Sequence, residues 1–95
     1  MKDTRVVITG IGTINPLAHD TNSTWTKILK GESGVDYLTS FDTEGFDTRF
    51  GAEVKNFVPE DILDRKVARR MDRFAQFACV AALEACDSAN LSPQS

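Results

Sequence analysis

The stretch Arg5-Val6-Val7-Ile8-Thr9 constrains this chain more than any other. It is short, continuous and β-branched, without the polar alternation of a strand that keeps one face in water. Such a run predicts a central strand covered on both faces, as in layered α/β proteins. A strand of that kind needs neighbours beside it and helices above and below. Gly10-Ile11-Gly12 follows it directly, and Pro16, which cannot sit inside a sheet, makes Gly10 to Asp20 a connection.

The rest of the chain offers little to build those layers. Capping side chains between Asp20 and Ser23 start a helix that runs through Trp25, Ile28 and Leu29, and Gly31 or Gly34 ends it. Val35 to Thr48 reads as irregular, with Phe41, Phe46 and Phe50 as its anchors. Phe50 to Phe57 alternates loosely and predicts a second strand. Pro59-Glu60-Asp61 opens a short helix through Ile62 and Leu63. Asp72 caps a longer helix to about Ala89, with Phe74, Ala78, Ala81, Ala82 and Ala85 as its apolar stripe and Asn90 and Pro93 as its end. Two strands and three helices in 95 residues make at most one domain. A two-stranded sheet with a doubly buried strand is not a complete layer. The expectation is an N-terminal piece of a larger enzyme, its last residues 91–95 a loop leading onward.

Several chemistries fit poorly. A dinucleotide cradle needs Gly-x-Gly-x-x-Gly opening a helix, but Asn15 holds the third position and Pro16 follows, so Gly10 and Gly12 read as a structural turn chosen for positive φ or close packing. His19 is the only histidine and lies in a polar loop, where a solvated surface role is expected; no metal site is expected. Cys79 and Cys86, seven apart, match neither a zinc nor a redox spacing and read as buried thiols. Asn22-Ser23-Thr24 matches a glycosylation sequon but reads as a helix start. No apolar stretch approaches the roughly 20 residues of a membrane span, and the N-terminal run lacks the apolar core of a secretory signal, so a cytoplasmic protein is expected.

Charge carries the strongest functional signal. The chain has net charge -3, yet five of its eleven basic residues lie between Arg65 and Arg73 with only Asp72 against them. If residues 64–71 are helical, Lys66, Arg69, Arg70 and Arg73 share one face, and if the helix breaks at Met71 they remain a compact positive cluster. Pairing with Glu60, Asp61 and Asp64 would make that face a solvated surface. Nucleic acid is not expected as partner, because the chain is acidic overall and no aromatic residues interleave the cations. A small acidic protein fits better.

Taken in order, these residues are recognisable. Residues 5–12 with Asn15-Pro16-Leu17, Ser23-Thr24-Trp25 with Leu29, Gly31 and Ser33-Gly34, Phe41-Asp42, Val54-Lys55-Asn56-Phe57, Asp64-Arg65-Lys66 and Arg70-Met71-Asp72-Arg73-Phe74 resemble the N-terminal portion of the β-ketoacyl-acyl carrier protein synthases of type II, the elongating condensing enzymes of fatty-acid synthesis. The resemblance implies an α/β, thiolase-like fold of α-β-α-β-α layers, with residues 1–95 the N-terminal part of one such domain. It also implies a homodimer, no cofactor, and acyl- and malonyl-loaded acyl carrier protein as partner. The family's catalytic cysteine and two histidines match no position here, so the chain alone is expected to be inactive. Lys66, Arg69 and Arg70 match the basic residues that face the carrier's acidic helix. A non-catalytic relative, such as a polyketide chain-length factor, and a free-standing basic-faced module are the alternatives.

Overall fold

The computed structural model describes residues 3–91. Helix α1 (Thr21–Leu29) begins where Asp20, in extended conformation, accepts the backbone N–H of Ser23 at 2.7 Å and its hydroxyl at 2.9 Å. A helix start leaves such donors without partners, so the cap stabilises the first turn, and the Ser23 N–H holds the Asp20 carboxyl below its ordinary pKa. The helix closes at Gly31 (φ +74°), whose N–H bonds Ile28 O while Glu32 N–H bonds Lys27 O, both at 3.0 Å. Gly34, the other expected stop, instead packs on Pro16.

Residues 35–57 correct the expectation. Strand β1 (Val35–Tyr37) lies in the stretch expected to be irregular and pairs antiparallel with β2 (Phe50–Ala52), Val35 opposite Ala52 and Tyr37 opposite Phe50. The second strand is therefore three residues long rather than running to Phe57. Beyond Ala52 the Glu53 carboxylate reaches across and accepts Thr39 N–H at 2.8 Å and Ser40 N–H at 3.0 Å, replacing ladder bonds with side-chain ones. Asn56, at φ +59°, then breaks the extended run. Phe41 and Phe46 meet edge to face at 5.9 Å but stay exposed, as does Phe50.

A single 3-10 turn (Pro59–Asp61) stands where the short helix was expected. Helices α2 (Arg65–Arg69) and α3 (Arg73–Ser88) follow. Asp72 occupies the cap position of α3 without a side-chain bond, and Asn90 (φ +59°) ends the helix as Leu91 N–H bonds Cys86 O at 2.8 Å. Pro93 lies outside the described residues.

The expected first strand has no strand partner among the described residues, so no ladder forms over 5–9; Val6 is 90% and Ile8 83% exposed. Its continuation nevertheless packs closely. A Cβ on Gly10 would lie 2.1 Å from Ala85 O, and one on Gly12 1.9 Å from Ala81 O. Two residues of extended chain advance about 6.7 Å and four of helix about 6 Å, so the segment runs antiparallel along α3 in step with it. Neither glycine has positive φ. Close packing, not a turn conformation, is what they provide.

Glu84 locks this arrangement. Its carboxylate accepts Thr13 N–H on one oxygen and Thr21 N–H on the other, each at 2.8 Å, joining the N-terminal segment, the start of α1 and α3. Asn15 shapes the intervening loop by bonding the N–H groups of Leu17 and Ala18 and the hydroxyls of Thr13 and Thr24. His19 is not a solvated residue: its ring Nε2 lies 2.7 Å from Lys55 O and its edge meets Phe57, because the loop folds back over residues 55–57. Of the expected α3 stripe, Ala81 and Ala85 meet the N-terminal segment, whereas Phe74 is exposed and Val80 is the buried residue.

The core is small, with Ala18, Phe57, Ala68 and Val80 its buried apolar residues. The accessible surface is 7882 Å², against about 5,400 Å² for a compact monomer of this mass. The radius of gyration is 16.9 Å, against about 12 Å. The chain leaves roughly 2,400 Å² more surface open than a self-contained domain would, an amount in the range of obligate interfaces.

Candidate protein-docking surface

Five residues cannot hold a helix by propensity alone, so α2 depends on its surroundings. The Asp64 carboxylate accepts the Lys66 N–H at 3.2 Å at one end. At the other, the Gln76 amide donates to Ala68 O at 2.9 Å, beside the Met71 N–H that this carbonyl also accepts, and to Met71 O at 3.5 Å, tying the end of α2 to α3. Ala68 is wholly buried, and only a small side chain suits so close an approach. The helix is pinned on its inner face, which leaves the outer face to the cations.

Lys66, Arg69 and Arg70 are all exposed. Among the described residues the only ion pair joins Lys55 to Asp36 at 3.0 Å, so Glu60, Asp61 and Asp64 do not neutralise the arc as the sequence suggested. Arg73 leaves it. Its guanidinium packs 5.1 Å from the ring centre of Phe57 and 5.2 Å from that of Phe77, with Nη1 3.4 Å from Phe57 O. The helix ends at Arg69, so the i+7 placement on one face does not hold for Arg73.

Beside the arc runs an apolar groove of about 320 Å³. Leu63, Val67 and Met71 form one wall and Cys79, Leu83 and Cys86 the other. The two thiols are half-buried on this wall rather than buried, because nothing among the described residues covers it. Sequence reasoning missed the groove, although Leu63, Val67 and Met71 recur every four residues. It also missed Glu84, whose signal was a carboxylate four residues after Val80, inside the apolar stretch of α3. Among the described residues no helix is long and apolar enough to cross a membrane.

Comparison with known proteins gives these features a family. Residues 3–95 match the family described as Beta-ketoacyl synthase, N-terminal domain. A 3-oxoacyl-[acyl-carrier-protein] synthase 2 of Staphylococcus aureus (strain COL) is 51% identical over 87 residues, 92% of this chain and 21% of that protein. A 3-oxoacyl-[acyl-carrier-protein] synthase 2 of Synechocystis is 42% identical over the same shares of each chain. The solved structure titled the ishigamide ketosynthase/chain length factor superposes with a TM-score of 0.82 at 34% identity, over 90% of this chain and 21% of that one. The chain thus spans about a fifth of the length of the relatives it matches. The family match and this superposition make the fold a thiolase-like α/β fold. The chain belongs to the β-ketoacyl synthase family, whose N-terminal domain it matches along nearly its whole length.

Proposed function

We propose that residues 1–95 are the N-terminal part of one ketoacyl-synthase domain in a cytoplasmic, homodimeric condensing enzyme of fatty-acid synthesis. The enzyme joins an acyl group, carried on an active-site cysteine, to the carbanion formed when malonyl-acyl carrier protein loses carbon dioxide. This chain supplies none of that chemistry: it has one histidine, held to Lys55 O, and its cysteines lie in an apolar groove. Its part is to receive the carrier. The observation that carries this reading is the arc of Lys66, Arg69 and Arg70, exposed and without ion pairs among the described residues, on a helix whose inner face is pinned. Free cations on a rigid support steer and orient an acidic partner. Identity of 51% to elongating synthases, against 34% to the ketosynthase/chain length factor, favours the enzyme over a non-catalytic relative.

The test is a chimera in which this chain replaces the matching segment of the Staphylococcus aureus synthase. Lys66→Glu with Arg69→Glu is expected to slow association of holo-acyl carrier protein roughly tenfold at low salt, less at 0.15 M where the Debye length is about 8 Å. Turnover of a free pantetheine thioester should survive. Equal loss with both substrates would remove the docking assignment.

A further inference from the structure

Residues 58–71 are bonded to themselves through the backbone and to the rest of the chain through side chains. Asp61 N–H bonds Val58 O, Leu63 N–H bonds Pro59 O and Met71 N–H bonds Ala68 O; among the described residues, no backbone-to-backbone bond of this stretch leaves it. Buried Pro59 and Ala68, with the Gln76 amide on Ala68 O, hold it from within. Its two ends also meet. Arg73 Nη1 lies 3.4 Å from Phe57 O, sixteen residues away in the chain. The guanidinium sits over the Phe57 ring and over the Phe77 ring, whose centres are 5.1 Å apart, so one flat cation bridges the chain entering the stretch and the helix leaving it. Arg65, Lys66, Arg69 and Arg70 all stand exposed on the stretch so closed.

From this geometry we infer that Arg73 is a positioning residue: it clasps the neck of residues 57–73 and so fixes how α2 presents its cations, without itself meeting the partner. This rests on the carrier-docking reading and divides the basic cluster, Arg73 orienting while its neighbours touch. A guanidinium suits the task because its flat face lies on both rings, whereas a lysine ammonium is a point charge that one ring satisfies. Arg73 is itself exposed, so replacing it opens no core cavity.

In the chimeric synthase, Arg73→Lys keeps the charge and removes the flat bridge. It is expected to speed hydrogen exchange across residues 59–71 roughly threefold, the scale of one exposed ring contact, and to raise the dissociation rate of holo-acyl carrier protein by a similar factor. Association and its salt dependence should stay as they are, because the charge does. Phe77→Leu should act in the same way from the other side of the contact, and the two changes together should add little to either alone.

Unaltered exchange in both variants, or effects that simply add, would overturn the clasp. Faster exchange with carrier dissociation untouched would overturn the positioning role and leave Arg73 a purely structural contact. If Arg73→Lys is silent while Arg73→Met slows association and flattens its salt dependence, Arg73 is a docking cation like its neighbours, and the inference falls while the docking reading stands. If Lys66→Glu with Arg69→Glu leaves association unchanged, the docking reading itself falls.

Discussion

Gly12 is where the fold is most easily broken. Replacing it with alanine puts a Cβ 1.9 Å from Ala81 O, 2.8 Å from Ala85 N and 2.9 Å from Ala81 C. Ordinary carbon–oxygen contacts begin near 3.3 Å, so the N-terminal segment must withdraw by about 1.4 Å. Both obstacles are backbone, and neither can turn aside as a side chain would. Overpacking typically costs about 1–3 kcal/mol, and this contact belongs at the upper end, about 3 kcal/mol. One pK unit corresponds to about 1.4 kcal/mol, so local opening should become roughly a hundredfold more frequent. Hydrogen exchange of α3 peptides in the chimeric synthase reads this directly. Gly31→Ala is the control, since nothing lies within 4 Å of its Cβ and only its positive φ is strained. Adding Ala81→Gly to Gly12→Ala should restore nothing, because the clash is with the Ala81 carbonyl. Exchange in α3 within threefold of the parent, or rescue by Ala81→Gly, would refute the close-approach account.

Three further outcomes are expected. Glu84→Gln keeps one acceptor and turns an amide NH2 toward the other backbone N–H; losing one charge-assisted bond of about 2 kcal/mol should speed exchange of the Thr13 or Thr21 amide roughly thirtyfold, and no change at either would show the clamp to be idle. The Glu53 carboxyl, held to about 2 by the Ser40 side chain and the N–H groups of Thr39 and Ser40, lies below its ordinary 4.5. A depressed pKa contributes stability above the unfolded value, so the β1–β2 closure should be intact above pH 4.5 and loosen as pH falls toward 2, with the Thr39 and Ser40 amide shifts titrating near the lower value and Glu53→Gln abolishing the transition. The 95-residue chain alone, with some 2,400 Å² of excess surface, should bind ANS and melt without a cooperative transition, and a sharp calorimetric peak would contradict that expectation.

Features encoded by neighbouring residues were legible in the sequence. The Asp20 cap, the Gly31 stop, the span of α3 and the segregation of charge around α2 each depend on contacts within one or two turns. Features that depend on what lies across space were not. Val35-Asp36-Tyr37 is too short to show a period, and becomes a strand only because Phe50–Ala52 lies opposite. His19 looked solvated because its partners, Lys55 and Phe57, are more than thirty residues away. Arg73 looked like part of the basic cluster from its nearness in sequence, and its position across the break between α2 and α3 turns it onto two phenylalanines. The Val6–Ile8 run was legible in a different sense, since its pattern calls for neighbours that the described residues do not provide.

These connections tie the proposed docking surface to the most distant part of the chain. Gln76 holds the end of α2 from α3, and α3 is seated on Gly10 and Gly12, whose own approach is secured by Glu84. The Val6–Ile8 run continues directly into Gly10. The links are backbone packing at the glycines, the two oxygens of Glu84 and the amide nitrogen of Gln76, so little slack separates the open strand from the cations of α2. Completing the sheet around residues 5–9 would fix the direction of the N-terminal segment, hence the tilt of α3, hence the angle at which Lys66, Arg69 and Arg70 face a partner. An isolated α2 would carry the same charges with no fixed orientation, so under the proposed docking role orientation, more than charge, is what the rest of this chain would contribute.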